Sequence, residues 1–200
     1  MSNKIKIVAL IVLVSFACNS EKIEKKDAKD AKEVSFELID AETSGIKFIN
    51  SLEQTEEENV FDDIYYFNGS GVAVGDINND GLPDLYFGGN QTSNKLYINR
   101  GNFQFEDLTE QAGVGTTGWT TGVAMADVNN DGWLDIYVCR TSPYAEDDNR
   151  RNLLFINNKN GGFDESGKLY GLDNLGFSTQ ASFFDADNDG DLDMYLANRP

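Results

Sequence analysis

The residues of this chain best suited to chemistry are aspartates and asparagines, and they recur in one spacing. Asp76-Ile-Asn78-Asn-Asp80-Gly81-Leu82-Pro-Asp84, Asp127-Val-Asn129-Asn-Asp131-Gly132-Trp133-Leu-Asp135 and Asp185-Ala-Asp187-Asn-Asp189-Gly190-Asp191-Leu-Asp193 each read D-x-[DN]-x-D-G-x-x-D. That order places oxygen side chains at positions 1, 3, 5 and 9, a glycine at position 6 for a sharp turn, and a backbone carbonyl at position 7. Together they amount to about six hard oxygen donors, the number and type that Ca²⁺ takes. The expected ligands are therefore Asp76, Asn78, Asp80 and Asp84; Asp127, Asn129, Asp131 and Asp135; and Asp185, Asp187, Asp189 and Asp193. Leu82, Trp133 and Asp191 would contribute through their carbonyls. Up to three calcium ions are implied, one per loop.

The flanks decide what carries these loops. An EF-hand needs a helix on either side and a glutamate at position 12, but position 12 is Phe87, Val138 and Leu196. The segments that precede and follow are short and rich in β-branched and aromatic residues. They are Gly71-Val-Ala-Val-Gly and Leu85-Tyr-Phe-Gly, Gly122-Val-Ala-Met-Ala and Ile136-Tyr-Val-Cys, and Ala181-Ser-Phe-Phe and Met194-Tyr-Leu-Ala. Such runs predict strands, so each acidic loop is the tip of a β-hairpin. A second shared block, Asn94-Lys-Leu-Tyr-Ile-Asn99 with Phe103-Gln-Phe105 and Asn152-Leu-Leu-Phe-Ile-Asn157 with Gly162-Phe163, adds two strands to each of the first two units. Equivalent aspartates Asp76, Asp127 and Asp185 lie 51 and 58 residues apart, a period that suits a four-stranded propeller blade with loop insertions. A blade cannot bury both faces alone and must stack on its neighbours.

The hairpins preceded by G-V-A-[VM]-[GA]-D resemble FG-GAP/VCBS repeats, the blades of integrin-α-type β-propellers. A longer pattern is similar to the CRTAC1/UnbV-like VCBS-repeat proteins of bacterial cell envelopes: Phe36-Glu-Leu, Ser44-Gly-Ile-Lys-Phe, Tyr66-Phe-Asn-Gly-Ser-Gly-Val-Ala-Val-Gly-Asp, Asn94-Lys-Leu-Tyr-Ile-Asn and Phe105-Glu-Asp-Leu-Thr-Glu-Gln-Ala-Gly. The resemblance covers roughly residues 34 to 200. It implies Ca²⁺ in each hairpin tip and an extracytoplasmic interaction role. The fold class expected is all-β, a partial propeller of four-stranded blades: two whole blades and a third that stops at Asn198-Arg-Pro200. Members of this family are generally longer, so the reading is of an N-terminal fragment.

Residues 1–17 read as an export signal, with Lys4 and Lys6 ahead of an apolar run from Ile7 to Phe16 that is too short to span a bilayer, then Ser15-Phe-Ala. Cys18 follows directly and suits acylation of a bacterial lipoprotein, while an ordinary secretory cleavage at the same bond is the alternative. Residues 18–33 are charged, without aromatic residue, Gly or Pro, and read as a tether or short helix. Cys139, in a strand, reads as a small buried residue. The location expected is the bacterial cell envelope, outer-membrane-anchored through Cys18 or else secreted.

The formal charge is −18, and eleven of the 34 carboxylates lie in the three loops. Such a surface repels phosphate backbones, which argues against nucleic acid. The absence of histidine removes serine triads, Cys-His pairs and His-ligated zinc. The function expected is non-enzymatic: a calcium-binding interaction or adhesion scaffold for a protein or polysaccharide. The alternative is the propeller portion of a surface carbohydrate-active enzyme, with Glu106 or Asp164 as carboxylates outside the calcium positions. Tyr65, Tyr66 and Phe67 read as blade core or as a sugar-stacking platform. Trp119, beside Thr116-Thr-Gly118, reads as a ligand contact or as packing. Arg150 and Arg151 read as solvated strand ends.

Overall fold

In the computed structural model, the structure describes residues 36–142 and 147–200. The signal segment, Cys18 and the tether lie outside the described residues. Among those described, no helix is long and apolar enough to cross a membrane.

Ten strands are described. β1 (Val72–Gly75), β2 (Asp84–Phe87), β3 (Lys95–Asn99) and β4 (Phe105–Asp107) form one antiparallel sheet in chain order. β5 (Thr120–Ala126), β6 (Asp135–Arg140), β7 (Leu153–Asn157) and β8 (Phe163–Glu165) repeat it, and β9 (Ser178–Phe184) with β10 (Asp193–Asn198) repeats its first hairpin. The register matches between units: Gly75 faces Asp84, Ala126 faces Asp135, and Phe184 faces Asp193, so each acidic loop closes its hairpin at the same point. This is the expected all-β, propeller-like arrangement of blades. A single helical turn, α1 (Ala41–Ser44), precedes β1, and three more, α2 (Thr109–Ala112), α3 (Asp147–Arg150) and α4 (Gly167–Tyr170), sit between strands.

Alternation along the strands builds two cores between blades. Ala73, Tyr86, Leu96 and Ile98 of the first sheet pack with Val123, Ile136, Val138 and Phe155 of the second. The opposite face of the second sheet, with Tyr137, Cys139 and Leu154, packs with Ala181, Phe183, Met194 and Leu196. Each large apolar side chain so buried stabilises the fold by about 1.5–3 kcal/mol. Cys139 is a free, buried thiol whose ionisation burial pushes up to about 12, so it is inert.

Polar side chains bind the blades where apolar ones cannot. Asn94 accepts from the Gly89 N–H at 2.7 Å and the Thr120 hydroxyl at 3.0 Å, and donates to the Tyr86 hydroxyl at 3.1 Å. Asn152 repeats this one blade later, accepting from the Arg140 N–H at 2.8 Å and donating to Tyr137 at 3.1 Å and Ser178 at 2.8 Å. Each asparagine thus ties its own blade to the first strand of the next.

The segment before β1 lies on the first blade. Phe48 stacks on Phe87 with ring centroids 5.2 Å apart, and the Lys47 N–H donates to the Tyr97 hydroxyl at 3.2 Å. Val72 and Val74 on the same sheet remain exposed. Further along, Asp63 receives a bidentate pair from Arg199 at 2.8 and 3.0 Å, and Arg199 also lies over the Tyr65 ring at 4.4 Å. Desolvation works against ionisation of Asp63, but its bonds to Arg199 and to the Tyr65 N–H hold the carboxyl below the usual carboxylate range.

Several aromatic and basic residues resolve into packing. Tyr66 is fully buried and meets Trp119 at 5.0 Å, leaving Trp119 only 8% exposed; the ligand reading of Trp119 gives way to packing. Phe67 stays exposed. Arg150 and Arg151 are not solvated ends: Arg151 pairs with Asp173 at 2.6 Å, and Arg150 lies over Phe177 at 5.0 Å.

Candidate metal centres

Each hairpin tip folds on a backbone scaffold that its own carboxylates hold. At position 1, Asp76 accepts from the Asp80 and Gly81 N–H groups at 3.0 and 2.8 Å. Asp127 does the same with Asp131 and Gly132 at 2.9 and 2.7 Å, and Asp185 with Asp189 and Gly190 at 3.2 and 3.1 Å. At position 5, Asp80, Asp131 and Asp189 each accept from the N–H of position 7, at 2.9, 3.0 and 3.1 Å. At position 9, Asp84, Asp135 and Asp193 each accept from the N–H of position 2, at 3.0, 3.0 and 2.9 Å.

Two positions in each loop adopt left-handed backbone. Position 6 is glycine with φ of 87°, 86° and 97°, and position 4 is Asn79, Asn130 or Asn188 with φ of 57°, 55° and 64°. Nothing crowds the glycine sites. Glycine is there for its freedom at positive φ, and asparagine is the side chain that tolerates the same region at position 4.

The ninth position has a second duty that its spacing does not reveal. Asp84 and Asp135 are completely buried. Their second oxygens accept from the backbone N–H of Asn99 at 2.8 Å and Asn157 at 2.9 Å, at the ends of β3 and β7. Burial pushes both carboxyls above the usual range, the backbone bonds oppose this, and the carboxylates at positions 5 and 1 add to the rise. Asp193 makes the loop bond but is exposed. Asn99 and Asn157 complete the junction, with Asn157 donating to Ile77 of the first loop at 2.8 Å. Both asparagines stand in the shared sequence block, but their partners lie on other strands and no local spacing announces them.

The donor sets suit a hard cation. In the third loop, carboxylate oxygens of Asp185, Asp187 and Asp193 all lie within 4.8 Å of one another, and among the described residues no other trio of carboxylates is grouped in this way. Asp189 falls outside that group. In the first two loops position 3 is an asparagine. Asn78 Oδ1 accepts from the Asp80 N–H at 3.0 Å, whereas Asn129 Oδ1 is buried without a hydrogen-bond partner, a polar atom that a cation would satisfy. Asp131 also accepts from Lys159, whose ammonium lies 3.3 Å away. Desolvation opposes ionisation of Asp131, but bonds from Asn129 and Lys159 hold its carboxyl low. In the third loop a hydrogen bond shared with Asp189 raises Asp191. The first two loops touch, as Asn79 donates to the Gly132 carbonyl at 3.0 Å.

The two carboxylates weighed for catalysis are less well placed. Glu106 is tied to Arg100 at 2.7 and 2.9 Å, and Asp164 is exposed on β8.

Residues 76–138, from the start of the first loop through most of β6, match the family model of the FG-GAP-like repeat. A 72-residue stretch is 38% identical to cartilage acidic protein 1 of Xenopus tropicalis and 39% identical to the proteins of that name from Homo sapiens and Mus musculus. The match takes in 36% of this chain and 11% of each of these relatives. The chain is thus similar to cartilage acidic protein 1 over a short part of that protein's length, and it carries an FG-GAP-like repeat within an all-β, propeller-like fold.

Proposed function

We propose that this chain is a calcium-binding, extracytoplasmic propeller module that presents its blades to a protein or polysaccharide partner as an interaction or adhesion scaffold on the bacterial cell envelope. The observation that carries the reading is the threefold repetition of one loop scaffold with hard-oxygen side chains at matching positions. Asp76, Asn78, Asp80 and Asp84 would hold one ion, with their counterparts in the other loops holding the others and the position-7 carbonyls completing each set. A bound ion neutralises carboxylates that otherwise repel one another and ties position 1 to position 9 across the hairpin. Its role is structural: it stiffens the blade tips from which a partner would be met.

The similarity to cartilage acidic protein 1 and the FG-GAP-like repeat support an interaction role outside the cytoplasm. Cys18 is the proposed point of lipid attachment, with the charged residues after it as a stand-off from the membrane. The acidic balance disfavours nucleic acid as partner. Of the two carboxylates the enzymatic alternative needs, Glu106 is held in an ion pair by Arg100.

A panel of envelope polysaccharides and glycans, presented to the whole chain in millimolar calcium and again in chelator, separates the two readings. The scaffold reading expects binding that calcium strengthens, with every glycan recovered intact. Cleavage of any of them, lost in Glu106→Gln or Asp164→Asn, would establish the enzyme instead.

A further inference from the structure

The first two loops share a scaffold but not an electrostatic environment, and the difference comes from one turn. In the first blade the turn after β3 runs through Gly101, with φ of 84°, whose N–H donates to Asn99 Oδ1 at 2.9 Å. In the second blade the turn after β7 has the same build: Lys159 adopts φ of 64° and its N–H donates to Asn157 Oδ1 at 2.9 Å. Left-handed backbone is natural for glycine and uncommon for lysine. A lysine here keeps an unfavourable conformation and directs its ammonium to Asp131, 3.3 Å away in the second loop. The first blade has no counterpart, since Gly101 has no side chain and the neighbouring Arg100 is taken by Glu106 at 2.7 Å.

We infer that Lys159 is a resident counter-cation of the second loop, against which an incoming divalent ion must compete, so that this loop binds calcium more weakly than its own ligands would allow. The inference rests on the calcium reading above and refines it by setting the second loop apart from the first. The Lys159 ammonium competes for one oxygen of the position-5 carboxylate and itself repels a divalent charge. The buried, unpartnered Oδ1 of Asn129 marks a donor waiting beside it.

The test uses terbium, a luminescent stand-in for calcium, on the whole chain. Trp133 at position 7 of the second loop serves as the sensitiser, and the other tryptophan, Trp119, is packed on Tyr66. Titration of Asp127→Ala identifies the component that belongs to the second loop, and competition with Ca²⁺ converts it to calcium affinity. Lys159→Met and Lys159→Gly are expected to lower the calcium concentration that half-fills this loop by roughly three- to tenfold, from the loss of one partly screened charge. Lys159→Arg should leave it unchanged, and the third-loop component, identified by its loss in Asp187→Ala, should not move. Wild-type affinity in both Lys159→Met and Lys159→Gly, with binding otherwise intact, would overturn the inference while leaving the calcium reading standing. Failure of the wild-type chain to bind terbium or calcium at any loop would instead overturn the calcium reading, and this inference with it.

Discussion

Asp135→Ala is expected to lower the stability of the metal-free chain by about 3–5 kcal/mol, because it strands one buried and one half-buried backbone donor at about 1–3 kcal/mol each and opens a void. The donors are the N–H groups of Val128, inside the second loop, and Asn157, at the end of β7. The Asp135 side chain itself is completely buried. The loss should persist in chelator, which separates this residue from a simple ligand. Asp135→Asn should cost less than Ala, since one acceptor oxygen survives and the charge that burial penalises is gone. Asp131→Ala removes a carboxylate nearer the surface and is expected to act mainly through calcium. Urea unfolding of the three variants in chelator, followed by far-ultraviolet circular dichroism, checks the order. Equal midpoints for Asp135→Ala and wild type would show that the junction does not matter.

A single methyl group added at Gly122 is expected to be nearly as damaging. A Cβ there would lie 2.4 Å from the Thr179 carbonyl oxygen and 3.1 Å from the Gln180 Cα, both on the first strand of the third unit. Backbone at that distance cannot rotate away, so β5 and β9 must separate. Overpacking of this kind costs about 3 kcal/mol. The damage should concentrate in β9 and β10, whose amides should exchange with solvent faster in Gly122→Ala than in wild type. Gly71 is the equivalent residue one blade earlier, where a Cβ would meet the Val123 nitrogen at 2.9 Å; Gly71→Ala should follow the same course more mildly. Uniform exchange across all ten strands would contradict this account of how neighbouring blades approach.

The strands and their hairpins were legible because their signals are local. Val72, Val74 and Tyr86 sit in short runs with period-two burial and Ile136 in a run buried throughout, and the D-G steps between the runs mark the turns. What the sequence hid depends on partners far along the chain. Trp119 sits in a Gly/Thr-rich connection that suggests a binding loop, yet it is covered by Tyr66 from before the first strand. Asp63 and Arg199 are 136 positions apart, and no pattern within either neighbourhood pairs them. The turns α2 and α4 escape for the opposite reason: each has four residues, and neither Leu108 nor Ser166 caps its start with a side-chain bond. Glycines at positive φ, Gly113 and Gly171, end both.

The loops show how far spacing alone can go. D-x-[DN]-x-D-G-x-x-D names the oxygens and the glycine that turns the chain. It does not show that Asp84 and Asp135 are buried junction residues, because β3 and β7 supply the second N–H. Nor does it show Lys159, which reaches the second loop from another hairpin.

Whether calcium is part of this fold is tested most directly by melting the whole chain in calcium and in chelator. With dissociation constants of about 10⁻³ M, three sites at 10 mM calcium stabilise the chain by about 4 kcal/mol, or roughly 10 °C in a domain of this size. The expected result is a rise of that order, reduced in Asp185→Ala and Asp76→Ala. Identical melting in calcium and chelator would mean that these loops hold themselves together by hydrogen bonds alone, and the calcium reading would fall.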